Sequence, residues 1–268
     1  MLRLWIGRAG AGKTARVLET IQQNRRLRDQ LLIVPEHVSH EAEMELCRAL
    51  GDTASRNAEV LSLRNLSGRV LGEVGGLADF TLDGGGKILT MRMALQEVGG
   101  SLRVFGNPSR RAAFLEQLVS LMDELYAYEI PPHDLYARVQ DAPGQEGDKL
   151  RDVALLYAAY DARLRANGRD ARSRVQKLRD ALPQSAYLRG KDVYFDGFSY
   201  FNKAEESILL TALQQADSVT VTLLGEKLPS EIFQNAFRQR QRLANMAQQM
   251  GHRCAVEFMQ SKANTPLA

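Results

Sequence analysis

Residues 7–14 read Gly7-Arg8-Ala9-Gly10-Ala11-Gly12-Lys13-Thr14, a G-x-x-x-x-G-K-[ST] loop entered directly from the apolar run at 2–6. Few short patterns restrict a fold so strongly. The glycines let the backbone turn its N–H groups inward around phosphate oxygens, where a Cβ would block close approach. Lys13 has the reach for the β- and γ-phosphates of a nucleotide such as ATP, and the Thr14 hydroxyl suits Mg2+. A helix over 14–24 would add its N-terminal dipole to the same anion. A glycine-rich turn that merely joins a strand to a helix is the alternative, but such a turn has no need of Lys-Thr at its end. The cofactors expected are therefore ATP and Mg2+, held by Gly7 to Thr14.

Strand and helix patterns alternate through the first third of the chain. Residues 31–34, Leu-Leu-Ile-Val, form a continuous apolar run closed by Pro35, as expected of a strand buried on both faces. Helical spacing over 39–50 ends at Gly51, and 60–63 reads as a further short strand before a helix at 66–74. From Lys87 to about Arg179 the pattern changes to helices, at 89–98, 109–128 and 149–167. Gly75-Gly76 and Asp83-Gly84-Gly85-Gly86 punctuate the change. Alternation resumes with a strand at 192–196, a helix at 203–215, a strand at 218–224, a helix at 231–250 and a strand at 254–258. The expected fold class is α/β, a P-loop, RecA-like parallel sheet with helices on both faces. Its parts are 1–86 and 181–268 as the core, with 87–180 as a helical insertion.

A phosphate loop needs an acidic partner for Mg2+, usually an Asp at the carboxyl end of a neighbouring apolar strand. Asp196 closes the 192–196 run and is that candidate; a strand-end turn residue beside Gly197 is the alternative. In many P-loop motors a Glu follows this Asp and activates water. Here Gly197 follows, so the pair supports Mg–nucleotide binding better than turnover, and no catalytic residue is assigned. Glu205 and Glu206 are the nearest acidic substitutes in sequence.

The net charge of +3, from 35 basic and 32 acidic residues, says little by itself about nucleic acid. Its distribution says more. Arg163, Arg165, Arg169, Arg172 and Arg174 form a basic run suited to DNA phosphates, with a solvated helix face as the alternative. Arg238, Arg240 and Arg242 form another. Cys47 and Cys254 are too few for a disulfide framework or a four-cysteine metal site. No apolar run approaches a membrane span, and the first strand leaves no room for a signal peptide, so a cytoplasmic protein is expected.

Taken together, Gly7 to Thr14, Val34-Pro35-Glu36 with the helix after it, residues 60–63 and Tyr194-Phe195-Asp196-Gly197-Phe198 resemble the N-terminal region of the AddB family. Its members belong to bacterial AddAB helicase/nuclease complexes. The resemblance implies a superfamily-1-type helicase fold, a heterodimeric AddA-type partner, and engagement of DNA ends and single-stranded DNA during double-strand-break repair. It also implies that Lys13 and Thr14 hold phosphates and Mg2+, that Asp196 is the metal-side carboxylate, and that Val34-Pro35-Glu36 approaches single-stranded DNA. Family members are far longer, with a second helicase-like half and a nuclease domain carrying an iron–sulfur cluster. The chain is accordingly expected to be an N-terminal fragment or truncated product without nuclease activity. Two other classes stay open: a small-molecule P-loop kinase with a helical lid, and a scaffold with a relic nucleotide site.

Overall fold

A computed structural model describes residues 1–24, 29–51, 58–76, 82–106, 112–166, 174–228 and 232–259. Six strands, β1 (Leu2–Gly7), β2 (Asp29–Val34), β3 (Ala58–Ser62), β4 (Lys191–Phe195), β5 (Ser218–Leu224) and β6 (Cys254–Phe258), form one sheet. All neighbours are parallel, in the order β3-β2-β4-β5-β1-β6. The chain is thus an α/β protein whose architecture is consistent with a Rossmann/RecA-like fold.

Ten α-helices lie among the described residues: α1 (Lys13–Asn24), α2 (Ser39–Leu50), α3 (Leu63–Val74), α4 (Gly84–Val98), α5 (Ala112–Ala127), α6 (Pro132–Val139), α7 (Gly144–Ala166), α8 (Arg174–Ala181), α9 (Lys203–Gln215) and α10 (Gln234–Gln249). By compactness the chain divides into two units, Met1–Gly75 with Leu178–Ala268, and Gly76–Lys177. The sequence pattern alone places these divisions at 86/87 and 180/181. The glycines read there as punctuation are instead helical. Asp83 caps α4 by accepting the Gly86 N–H at 2.7 Å, so Gly84 to Gly86 form its first turn.

In the first unit, side-chain alternation along the strands sorts the core into two layers. Trp5, Leu32, Val34, Val60 and Tyr194 pack with Val17 and Ile21 of α1 and Leu46 and Leu50 of α2. The alternate positions, among them Leu4, Ile6, Leu31, Ile33, Val193, Phe195, Val219 and Val221, are buried too. That requires the second face to be covered. Helix α9 lies against β5, and α10 contacts β1, β5 and β6. The short connections are fixed by caps. Ser62 accepts the Asn65 N–H at the start of α3, and Asn202 with Glu205 forms a reciprocal capping box at the start of α9.

The second unit is helical among its described residues. Met91, Ala94 and Leu95 of α4, Leu115, Leu118, Val119 and Met122 of α5, and Leu156, Tyr157, Tyr160 and Leu164 of α7 form its core. Polar groups within it find partners. The Tyr157 hydroxyl donates to the Ile130 carbonyl at 2.9 Å and the Tyr126 hydroxyl to Asp161 at 2.8 Å. The buried Asp152 carboxylate accepts the backbone N–H groups of Arg103, Val104 and Phe105 at 2.7–3.0 Å, which pins the segment after α4.

Candidate functional site

The loop from β1 to α1 uses its glycines for different reasons. Gly10 and Gly12 adopt φ of +75° and +77°, the left-handed region that costs an L side chain. Gly7 has no such φ, but a Cβ there would lie 2.8 Å from the Ala11 Cβ and 3.0 Å from the Met259 carbonyl oxygen. The loop therefore closes tightly on itself and on the end of β6, where the Met259 N–H donates to the Ile6 carbonyl at 2.7 Å. The Lys13 ammonium donates to the carbonyls of Gly7 and Arg8, both at 2.8 Å, so it sits inside the curve of the loop. Burial there lowers the Lys13 pKa from its ordinary value, and the Asp196 charge partly offsets the fall.

Asp196 lies one residue beyond β4, its N–H continuing the ladder to the Ile33 carbonyl at 3.0 Å. Strand β5 separates β4 from β1, and all three open at the same carboxyl edge. Thr14, the second residue of α1, donates its hydroxyl to Asp196 Oδ2 at 2.7 Å. The other oxygen, Oδ1, accepts the hydroxyl of Thr222 on the intervening strand. A buried carboxylate is thus oriented by two neutral hydroxyls, with a lysine ammonium near enough to feel its charge. Incomplete compensation of a buried charge favours a cation at that place. One carboxylate and one hydroxyl beside a phosphate loop match the sparse oxygen set that Mg2+ accepts from protein, the remaining positions going to phosphate and water. Among the described residues no group of three or more His, Cys, Asp and Glu gathers to hold a metal without such help.

Gly197 follows with φ +80° and Pro35 at 3.4 Å from where a Cβ would stand. The contact is ordinary; the backbone conformation is what selects glycine. Neither acidic substitute is free for water. The Glu205 carboxylate accepts the Asn202 N–H at 2.9 Å within the capping box, and burial raises its pKa. Glu206 is buried and paired with Arg242 at 2.7 Å, and burial again raises its pKa against the pull of that arginine.

The basic runs divide. Arg163 pairs with Glu97 at 2.7 Å and Arg165 with Asp161 at 2.8 Å. Arg174 is exposed at the start of α8, while Arg169 and Arg172 fall outside the described residues. In the second run Arg242 serves Glu206, and the Arg240 guanidinium lies 4.3 Å from the centre of the Phe237 ring. Among the described residues no helix is long and apolar enough to cross a membrane.

Sequence patterns alone missed Thr222. The Val-Thr-Val-Thr alternation of β5 marks Thr220 and Thr222 as one face, but only the register that sets Thr222 beside Trp5 of β1 brings it to Asp196. Also missed was the bond from Arg8 to Glu226, at 2.6 Å, which ties the loop to the segment after β5.

The family model for the N-terminal part of AddB matches residues 4–266. This chain belongs to the AddB N-terminal family. Among curated proteins it is 35% identical to the AddB-type ATP-dependent helicase/deoxyribonuclease subunit of Pelotomaculum thermopropionicum over 84% of the chain and 20% of that relative. The protein of the same name from Geobacillus kaustophilus is 33% identical over 83% of the chain and 20% of its own length. That of Desulforudis audaxviator is 33% identical over 93% of the chain and 23% of its own length. The chain thus spans about a fifth of the curated relatives it matches.

Proposed function

We propose that the chain is the nucleotide-binding, helicase-like module of an AddB-type helicase/nuclease subunit, and that it holds ATP–Mg2+ while engaging DNA. The supporting observation is the contact of Thr14 with Asp196, which puts a hydroxyl and a carboxylate side by side at the mouth of a glycine-rich loop. In this reading the loop N–H groups and Lys13 bind the phosphates. Thr14 and Asp196 hold Mg2+, which supplies charge neutralisation between the phosphates. Thr222 fixes the carboxylate.

Turnover is slow in this account. Attack by water needs a group that orients it, and Gly197 has no side chain while Glu205 and Glu206 are committed elsewhere. The module grips nucleotide, and the motor work falls to an AddA-type partner subunit. The whole assembly, in the cytoplasm, processes DNA ends and single strands in double-strand-break repair and recombination. The names of the relatives support this assignment: each is called a helicase/deoxyribonuclease subunit, and a subunit implies a partner.

Equilibrium binding of ATP–Mg2+ to the chain and to Lys13→Ala tests the reading. The chain binds and the variant loses affinity at least tenfold, while single-turnover hydrolysis stays slow with or without DNA. No binding by either would leave the scaffold reading, and rapid DNA-stimulated hydrolysis would remove the slow-turnover part.

A further inference from the structure

The phosphate and metal elements account for one flank of the loop, the side facing β4. On the other flank the carboxyl ends of β1 and β6 and the segment after β5 enclose a cavity of about 520 Å3. Ile6, Arg8, Glu226, Lys227, Phe258 and Met259 line it. Small-molecule sites of roughly 300–1,000 Å3 are typical, so the space suits a nucleoside.

We infer that this cavity is the base-binding subsite of the same nucleotide site, taking the purine and ribose of a nucleoside triphosphate. The inference rests on the nucleotide reading given above. Direction comes first. Thr14 and Asp196 fix where the metal-bearing end of a triphosphate lies, on the side of β5 and β4. A nucleotide laid along the loop from that end directs its nucleoside toward β1 and β6, where the cavity opens beside Gly7 and Arg8.

The lining has the chemistry for a flat heterocycle. Phe258 offers a half-buried ring at the end of β6. Its position is braced by the Arg240 guanidinium, 5.4 Å from the ring centre. Arg8 presents a second planar group, held at 2.6 Å by Glu226 rather than left free to fold onto phosphate. Stacking on such groups discriminates weakly between bases and strongly between a nucleotide and a bare polyphosphate. The cavity and the loop are also mechanically one unit. Met259 bonds to Ile6, its carbonyl oxygen closes on Gly7, and the Gly225 N–H donates to the Gly7 carbonyl at 3.3 Å. Occupying the cavity therefore orders the loop that binds the phosphates.

The experiment compares ATP with inorganic tripolyphosphate, both with Mg2+, on the chain and on Phe258→Ala, Phe258→Leu and Lys13→Ala. The chain binds ATP at least tenfold more tightly than tripolyphosphate. Phe258→Ala and the bulkier apolar replacement Phe258→Leu lose about tenfold toward ATP, in the range of one base–aromatic stack, and keep their tripolyphosphate affinity. Lys13→Ala loses both ligands. Equal affinity of the chain for ATP and tripolyphosphate, or Phe258 variants that bind ATP normally, would overturn the subsite and leave the phosphate site standing. Failure of the chain to bind either ligand would overturn both. A Phe258 variant that loses tripolyphosphate as well has lost the loop itself, and the subsite is then rejected as a separate element.

Discussion

Thr14 and Asp196 stand 182 positions apart in the chain and meet as hydroxyl and carboxylate at 2.7 Å. The parallel sheet makes the meeting possible, because β1 and β4 deliver their carboxyl ends to the same edge with only β5 between them. The intervening strand is not a passive spacer: Thr222 holds the second carboxylate oxygen from it. The site is thus a three-strand construction in which each strand supplies one oxygen-bearing group or the loop that carries it.

Thr222→Val tests that third contribution. Removing one hydrogen bond to a charged group costs about 1.5–3 kcal/mol, less whatever water recovers. ATP affinity in the presence of Mg2+ falls about tenfold, on the scale of one such bond. Affinity in EDTA is unchanged, because the phosphates still meet Lys13 and the loop. Parallel titrations in the two buffers check it.

Gly197→Glu would restore the acidic residue common after the metal-side aspartate in P-loop motors. At φ +80° it destabilises the protein by about 1–2 kcal/mol, the cost of a left-handed backbone with a side chain. Thermal unfolding reports this as a lower Tm. Hydrolysis does not rise, since the backbone there does not aim the new side chain as an extended one would.

The pH dependence of binding follows from Lys13, whose pKa is lowered by burial. A lowered lysine loses its proton below 10.5, so nucleotide affinity falls as pH rises through that window, earlier than an ordinary lysine allows. Lys13→Arg binds more weakly but without this fall, because guanidinium stays charged. For stability the sign is opposite. The unfolded chain holds the Lys13 proton more firmly than the folded one, so this residue favours folding more as pH rises from the folded value to 10.5. Binding isotherms and unfolding curves across that range separate the two effects.

Asp152→Ala is a control in the second unit. Three backbone N–H groups lose their shared acceptor, destabilising that unit by about 3 kcal/mol. Amide exchange at Arg103, Val104 and Phe105 accelerates, while ATP affinity is kept.

Much of the sheet and of the site was legible in the sequence because both depend on local patterns. The loop needs its glycines within eight residues, and β2 and β4 are short apolar runs with clear ends. What depends on register was not legible. Thr222 looked like half of a polar face, and nothing local says that Asp196 lies beside it. Helix α6 starts at a proline pair and runs only eight residues, too short for periodicity to show. Glu205 and Glu206 looked available for water until the capping box and Arg242 were in view. Gly84 to Gly86 looked like a break because glycine is a poor helix former, and the Asp83 cap outweighs that preference.

The central claim is a working Mg–nucleotide site at Thr14 and Asp196, and the metal dependence of ATP binding in Asp196→Asn tests it most directly. The unaltered chain is predicted to bind ATP more tightly with Mg2+ than with EDTA. Asp196→Asn is predicted to abolish this difference while retaining its fold by circular dichroism. An Asp196→Asn chain that keeps the full Mg2+ advantage would contradict the claim.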